Sequence, residues 1–166
     1  MLDINTPRGQ VTLLDEIAAV KIFESNHPGR RYFNTPKDDR SDVDGLIFRI
    51  DTSVLTSVVE TKCRYDMTLE KFAEVYGRKW LVTFDKILRG IKVAEALRVP
   101  FGGFLYIVPS RALLTQCIWK PDTGFDVDLE VRKTTTQATV NGGMATRDNA
   151  FLDLLGVEPL YLREAV

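Results

Sequence analysis

The chain has 166 residues, 45% of them hydrophobic and 27% charged, with a formal net charge of −1. That length suits one compact domain spanning 1–166 with a real core, and no apolar run approaches the roughly 18–20 residues of a membrane span. A single histidine, His27, makes histidine-rich zinc sites and Ser-His-Asp triads poor candidates, so hydrolytic chemistry here must lean on carboxylates and lysines.

Met1-Leu2-Asp3-Ile4-Asn5 has no basic segment followed by an apolar one, which argues against a signal peptide. Thr12 is placed to cap a helix running to about Ser25, with Asp15 in its first turn. Asn26-His27-Pro28-Gly29 ends that helix, and His27 reads as an exposed loop imidazole. Residues 30–40 are polar, with Pro36 and Asp38-Asp39, and predict a loop holding a short strand at Tyr32-Phe33. Val43 to Ile50 is strand-like, Asp51-Thr52-Ser53 marks a turn, and Val54 to Lys62 gives a hairpin partner.

A helix is predicted from Met67 to Tyr76, stopping at Gly77. Thr83 can cap a longer one, whose apolar positions Phe84, Ile87, Leu88, Ile91, Ala94 and Leu97 follow helical spacing until Pro100. Phe101 to Val108 then reads as a buried strand, and the order strand–helix–strand suggests a parallel crossover. Thr115 to Trp119 predicts another strand, and Asp126 to Val131 alternates like a half-buried one. Asn141-Gly142-Gly143 signals a tight turn, and Asp148 can cap a last short helix, Asn149 to Leu155, ended by Gly156. Cys63 and Cys117 form no CxxC and no zinc spacing, and read as reduced thiols of an intracellular, cytoplasmic protein.

Chemistry concentrates in Ser57-Val58-Val59-Glu60-Thr61-Lys62 and in Ser41-Asp42-Val43-Asp44-Gly45. A carboxylate beside an apolar β-type run is costly without a purpose. Alternation along a strand brings Glu60 and Lys62 out on one face. If the Asp44 strand pairs with theirs, two carboxylates and an ammonium converge. Such oxygen ligands suit a hard cation such as Mg²⁺, and a neighbouring lysine can polarise a phosphate or orient a water. The bland alternative is an edge-strand ion pair between Glu60 and Lys62, with Asp44-Gly45 as a bend.

An N-terminal helix, a strand meander, a crossover helix and a further strand around this Asp…Glu-x-Lys set resemble the PD-(D/E)xK, or restriction-endonuclease-like, nuclease superfamily. The likeness covers about residues 12–108, leaving 109–166 as a β-rich C-terminal extension. It implies an α/β fold with a mixed central sheet flanked by helices, and a Mg²⁺-dependent nuclease that hydrolyses DNA phosphodiester bonds to leave 5′-phosphates. Mn²⁺ would substitute. Carried over, Asp44, Glu60 and Lys62 are the catalytic residues. Asp44 and Glu60 bind metal, with Glu16 of the first helix as an accessory acid and the Thr61 carbonyl as a further ligand. Glu24 competes with Glu16 for that place, since it falls within the stripe of Leu13, Ile17 and Val20. Val43 stands where the family pattern has proline, and Asp42 could share the face of Asp44.

Lys86, in the first turn of the crossover helix, is a candidate contact to the scissile phosphate, while Arg89 and Lys92 read as a solvated face, with Arg78 and Lys79 just ahead. Asp126, Asp128 and Glu130 read as a solvated acidic strand face, and Trp80 and Trp119 as core or rim packing. Thr134 to Thr136, with Arg132 and Lys133, reads either as a backbone contact or as plain strand. The net charge lacks the basic excess of many nucleic-acid binders, although a carboxylate metal site supplies negative charge that its metal cancels. DNA is the expected partner, on branched or processed ends among other forms. A homodimer is plausible because cutting both strands usually needs two sites. An inactive nucleic-acid-binding or assembly protein on the same scaffold is the alternative, and an unrelated α/β protein with structural acids is the third.

Overall fold

The computed structural model describes residues 6–37, 41–137 and 144–164. Helix α1 covers Pro7–Asn26 and starts earlier than a Thr12 cap would have it. Thr6 accepts a bond from the Gly9 amide, and Pro7 takes the first turn, where its missing N–H costs nothing. At the far end His27 is not a free loop residue. Its ring stacks on Phe23 at 4.6 Å, and Nδ1 lies 3.0 Å from the Phe23 carbonyl.

Strands β1 (Arg30–Asn34), β2 (Gly45–Arg49) and β3 (Leu55–Arg64) form an antiparallel meander. A short helix α2 (Leu69–Glu74), capped by Thr68, and strand β4 (Lys79–Thr83) follow. Helix α3 (Phe84–Leu97) then carries the chain to β5 (Phe101–Ile107), which runs parallel to β3. The expected crossover is therefore present. Strands β6 (Ala112–Lys120) and β7 (Gly124–Phe125) complete a six-stranded mixed sheet in the order β1-β2-β3-β5-β6-β7. Strands β8 (Leu129–Gln137) and β9 (Met144–Asp153) join β4 in a second sheet, ordered β4-β9-β8.

Side-chain alternation along β3 and β5 splits the core in two. Val58, Phe101, Leu105 and Ile107 pack with Ile87 and Ala94 of α3 and with Trp80 and Leu152 of the second sheet. Val59, Phe104 and Tyr106 face the other way, onto Ala19, Ile22 and Phe23 of α1. The large sheet thus lies between α1 on one side and α3 with the small sheet on the other. The fold is mixed α/β, with a mixed sheet and flanking helices.

Several expectations need correction. The segment Asn149 to Leu155 is not a helix, because β9 reaches Asp153 and Ala150, Leu152 and Leu154 are all fully buried. That period of two, with neighbours on both sides in β4 and β8, outweighs the apparent cap and stop. Asp126 and Asp128 do not lie on a strand. Strand β8 starts at Leu129, and Asp126 turns instead to Lys120 at 2.8 Å, so the acidic row does not form. Strand β4 was not foreseen, being short and wedged between two helix signals. On α1 the buried stripe is Ala19, Ile22 and Phe23, and Ile17 is exposed. On α3, Leu88 and Leu97 remain 43% and 47% exposed. The turn expected at Asn141-Gly142-Gly143 lies outside the described residues. Among the described residues Cys63 and Cys117 are both free thiols, and burial pushes the Cys63 thiol up to about 12. No described helix is long and apolar enough to cross a membrane.

Candidate active site

Strand β3 is interior, between β2 and β5, so its polar residues have no sheet edge to escape to. Glu60 and Lys62 point to the α3 side, as alternation requires. Glu60 is buried, only 4% exposed. Asp44 lies just before β2, and its amide donates to the Val59 carbonyl at 2.8 Å. Its Oδ2 accepts from the Thr61 amide, also at 2.8 Å, and its carboxylate lies near enough to that of Glu60 for the two charges to interact. Gly45 is needed beside it. A Cβ there would come within 2.0 Å of the Tyr32 ring, which packs under β2 and meets the Thr61 hydroxyl at 3.1 Å. The edge-strand ion pair is therefore not what forms. Glu60 pairs with Lys86 instead, while residues 42–44 do form a bend, from which β2 starts at Gly45.

Two lysines reach the carboxylates. Lys86, in the first turn of α3, lies 2.5 Å from Glu60 Oε1. Lys37 bridges two elements, 2.9 Å from Glu16 Oε2 on α1 and 3.2 Å from Asp44 Oδ1. Nothing in the polar stretch 30–40 marks Lys37 out. It is delivered by Thr35, whose amide donates to the Asp44 carbonyl at 3.0 Å and whose hydroxyl donates to the Val43 carbonyl at 2.6 Å. Among the described residues, Lys62 is the lysine of this cluster without an ion pair.

The choice between helix acids follows from the same geometry. Glu16 faces the cluster, joined to Asp44 through Lys37. Glu24 lies at the other end of α1, where it accepts from the Tyr32 amide at 2.9 Å and pairs with Arg31. That bond covers an outward N–H of the edge strand β1. Asp42 turns to Arg89, at 3.7 Å, which also pairs with Asp85. Arg78 holds the carbonyls of Leu154 and Val157, and Lys79 pairs with Asp153, so both are structural. Trp80 is core, and Trp119 is partly buried against it.

Burial, and then the nearby Asp44 charge, push the Glu60 carboxyl up to about 7. Asp44 is partly buried, and desolvation opposes its charge, yet Lys37, the Thr61 amide and Lys86 hold it below the usual carboxylate range. The pair therefore keeps one charge firmly, on Asp44, and yields the second only near neutrality. Burial opposes the charge of Lys37 and Lys86 as well, but Asp44 and Glu16 hold the first above its ordinary value and Glu60 the second. Lys62 moves the other way. Its side chain is exposed by surface area, but enough protein crowds the amine that desolvation, then Lys86 and Arg64, draw it below the ordinary lysine value.

The raised Glu60 value has a measurable consequence for the metal-free protein. The folded chain holds this proton more tightly than the unfolded chain, so the associated stability is present at acid pH and lost as pH rises through about 7. Unfolding free energy is expected to fall by on the order of 2 kcal/mol between about pH 4.5 and pH 8, and Glu60→Gln should flatten that slope. Asp44, shifted downward, acts below this window and in the opposite sense. Urea titrations of both proteins across pH check this, and equal slopes refute it.

The donor set fits a hard divalent cation. Asp44 and Glu60 offer a carboxylate pair once Lys37 and Lys86 yield their places, and Mg²⁺ commonly takes one or two carboxylates plus water and substrate phosphate. A full three-acid cage is not formed. Among the described residues no cluster of three or more His, Cys, Asp or Glu is close enough to hold a metal, because Lys37 stands between Glu16 and Asp44. Thr61 meets Asp44 through its amide, which places its backbone at the site. Comparison with protein-family models, with curated proteins and with solved structures finds no match to this chain.

Proposed function

We propose that this protein is a Mg²⁺-dependent nuclease that hydrolyses DNA phosphodiester bonds on a restriction-endonuclease-like core. The observation that carries the reading is the convergence of Asp44, bound to the Thr61 amide, with Glu60 next to it on β3 and Lys62 two positions along the same strand. The order of elements supports it: helix α1, the β1–β3 meander, the crossover α3, then β5 parallel to β3.

When bound, the metal would supply Lewis-acid stabilisation of the phosphate and a more acidic water. Asp44 and Glu60 would hold it, with Glu16 and the Thr61 backbone beside them. Glu60 must give up its proton to ligate, so binding favours neutral and higher pH. Lys62 has a free ammonium with a lowered pKa, which suits it to position the attacking water and exchange a proton with it. Its positive charge also offsets charge growing on the phosphate. Lys86 lies on the same face, with its side chain half exposed, and is placed to meet a phosphate oxygen. Cutting both strands of a duplex would call for a second copy of the site.

The ion pairs at Lys37 and Lys86 favour a second reading. Carboxylates already neutralised by lysines also suit a protein that binds nucleic acid, or assembles on it, without cutting. Labelled single-stranded, duplex and branched DNA, incubated with Mg²⁺, Mn²⁺ or a chelator, separates the two. Cleavage with metal and none with chelator is expected. DNA affinity without cleavage on any substrate would support the second reading. Loss of both, in a folded protein, would leave an α/β protein with structural acids.

A further inference from the structure

No sequence motif marks Lys37, yet its ammonium bridges helix α1 and the bend just before β2. Its ammonium touches one oxygen of Glu16 and one of Asp44, at 2.9 and 3.2 Å, and its side chain is only 20% exposed. A cation held between two carboxylates from separate elements occupies the position a bridging divalent ion would take. An ammonium and a divalent ion compete for those oxygens, since like charges at such range repel.

The backbone beneath it is anchored while the side chain is not. Both bonds of Thr35, to the Asp44 and Val43 carbonyls, hold the chain two residues away. Lys37 itself lies outside the strands, in a turn, on a flexible four-carbon stem. Its head can leave the carboxylates without unpairing β1 from β2.

From this geometry we infer that Lys37 is a built-in counter-ion: it holds Glu16 and Asp44 together in the metal-free protein and is displaced to solvent when a divalent cation binds. The inference rests on the metal-centre reading above. Lys37 is then a positioning residue that lowers metal affinity in exchange for a stable metal-free fold. It also explains why Glu16 and Asp44 remain near each other without a metal cage.

The test uses the full-length wild-type protein and Mn²⁺ alone. Amine-reactive labelling with peptide mass spectrometry reads the exposure of each lysine. Lys37 is expected to be protected without metal and to react several-fold faster with saturating Mn²⁺, while exposed Lys92 stays unchanged. Calorimetry of Lys37→Met should show Mn²⁺ binding about three- to tenfold tighter than wild type, the removal of one competing ion pair. Should Lys37→Met fail to fold, the labelling of wild type decides alone. Unchanged Lys37 reactivity in a protein that binds Mn²⁺, or a folded Lys37→Met with no gain in affinity, overturns the displacement and leaves the nuclease reading standing. Absence of Mn²⁺ binding by the wild type overturns both.

Discussion

Asp44→Asn is expected to lose metal binding and cleavage together, whereas Lys62→Ala should lose cleavage and keep metal. The difference lies in what each side chain touches. Asp44 is clamped by the Thr61 amide and faces Lys37 and Glu60. An asparagine carbonyl can still accept the amide bond, so the fold should survive, but the charge that a cation requires is gone. Among the described residues Lys62 makes no ion pair, so its removal strands none of their carboxylates. Truncation should therefore leave stability nearly unchanged while removing charge stabilisation worth at least ~10²-fold in rate. Calorimetry with Mn²⁺, cleavage rates and thermal melts on both variants give the full pattern. If Asp44→Asn cuts DNA as fast as wild type, the assignment of the site is wrong. Cleavage by Lys62→Ala within a few-fold of wild type would remove the lysine from the chemistry and leave the metal ligands in place.

Trp80→Ala should be the most damaging single change in the core, costing about 3–5 kcal/mol. Trp80 is 1% exposed and packs into the core that β4 shares with the large sheet. Its ring lies against Gly103 of β5, where an added Cβ would come within 2.4 Å of it. Gly103 is also the register partner of Glu60, so the cavity would open directly beside the site. Among the described residues the buried indole Nε1 has no hydrogen-bond partner, so Trp80→Phe sheds an unsatisfied donor along with some volume. The phenylalanine variant is expected to lose less than half of what alanine loses. Urea denaturation of the three proteins checks both statements. A loss below about 1 kcal/mol for Trp80→Ala would mean that the small sheet is not held to the large one through this ring.

Strand and helix signals with strong local chemistry were legible in the chain: the meander from Tyr32 to Lys62, the helix after Thr83, although that residue makes no side-chain capping bond, and the buried strand after Pro100. Each rests on nearest-neighbour physics, such as side-chain alternation or a proline without an N–H. The same alternation brought Glu60 and Lys62 to one face, and pairing of β2 with β3 brought Asp44 to them, as the spacing allowed. What failed was decided over long separations. Asn149 to Leu155 carries a cap and a stop, but β4 and β8 on either side supply ladder hydrogen bonds to a strand and bury every second residue. The orientation of α1 depended on which of its faces met Phe104 and Tyr106, and that chose Ala19, Ile22 and Phe23 over Ile17. Lys37 belongs to the same class. By sequence it is one charge in a polar loop, and only the two bonds of Thr35 and the approach of α1 turn it into the cation between Glu16 and Asp44. The chain by itself determined which residues could carry charge into a strand, because burying a carboxylate is a local cost with few solutions. The tertiary structure alone decided what neutralises that charge, because a counter-ion is recruited by distance in space and not by position along the chain.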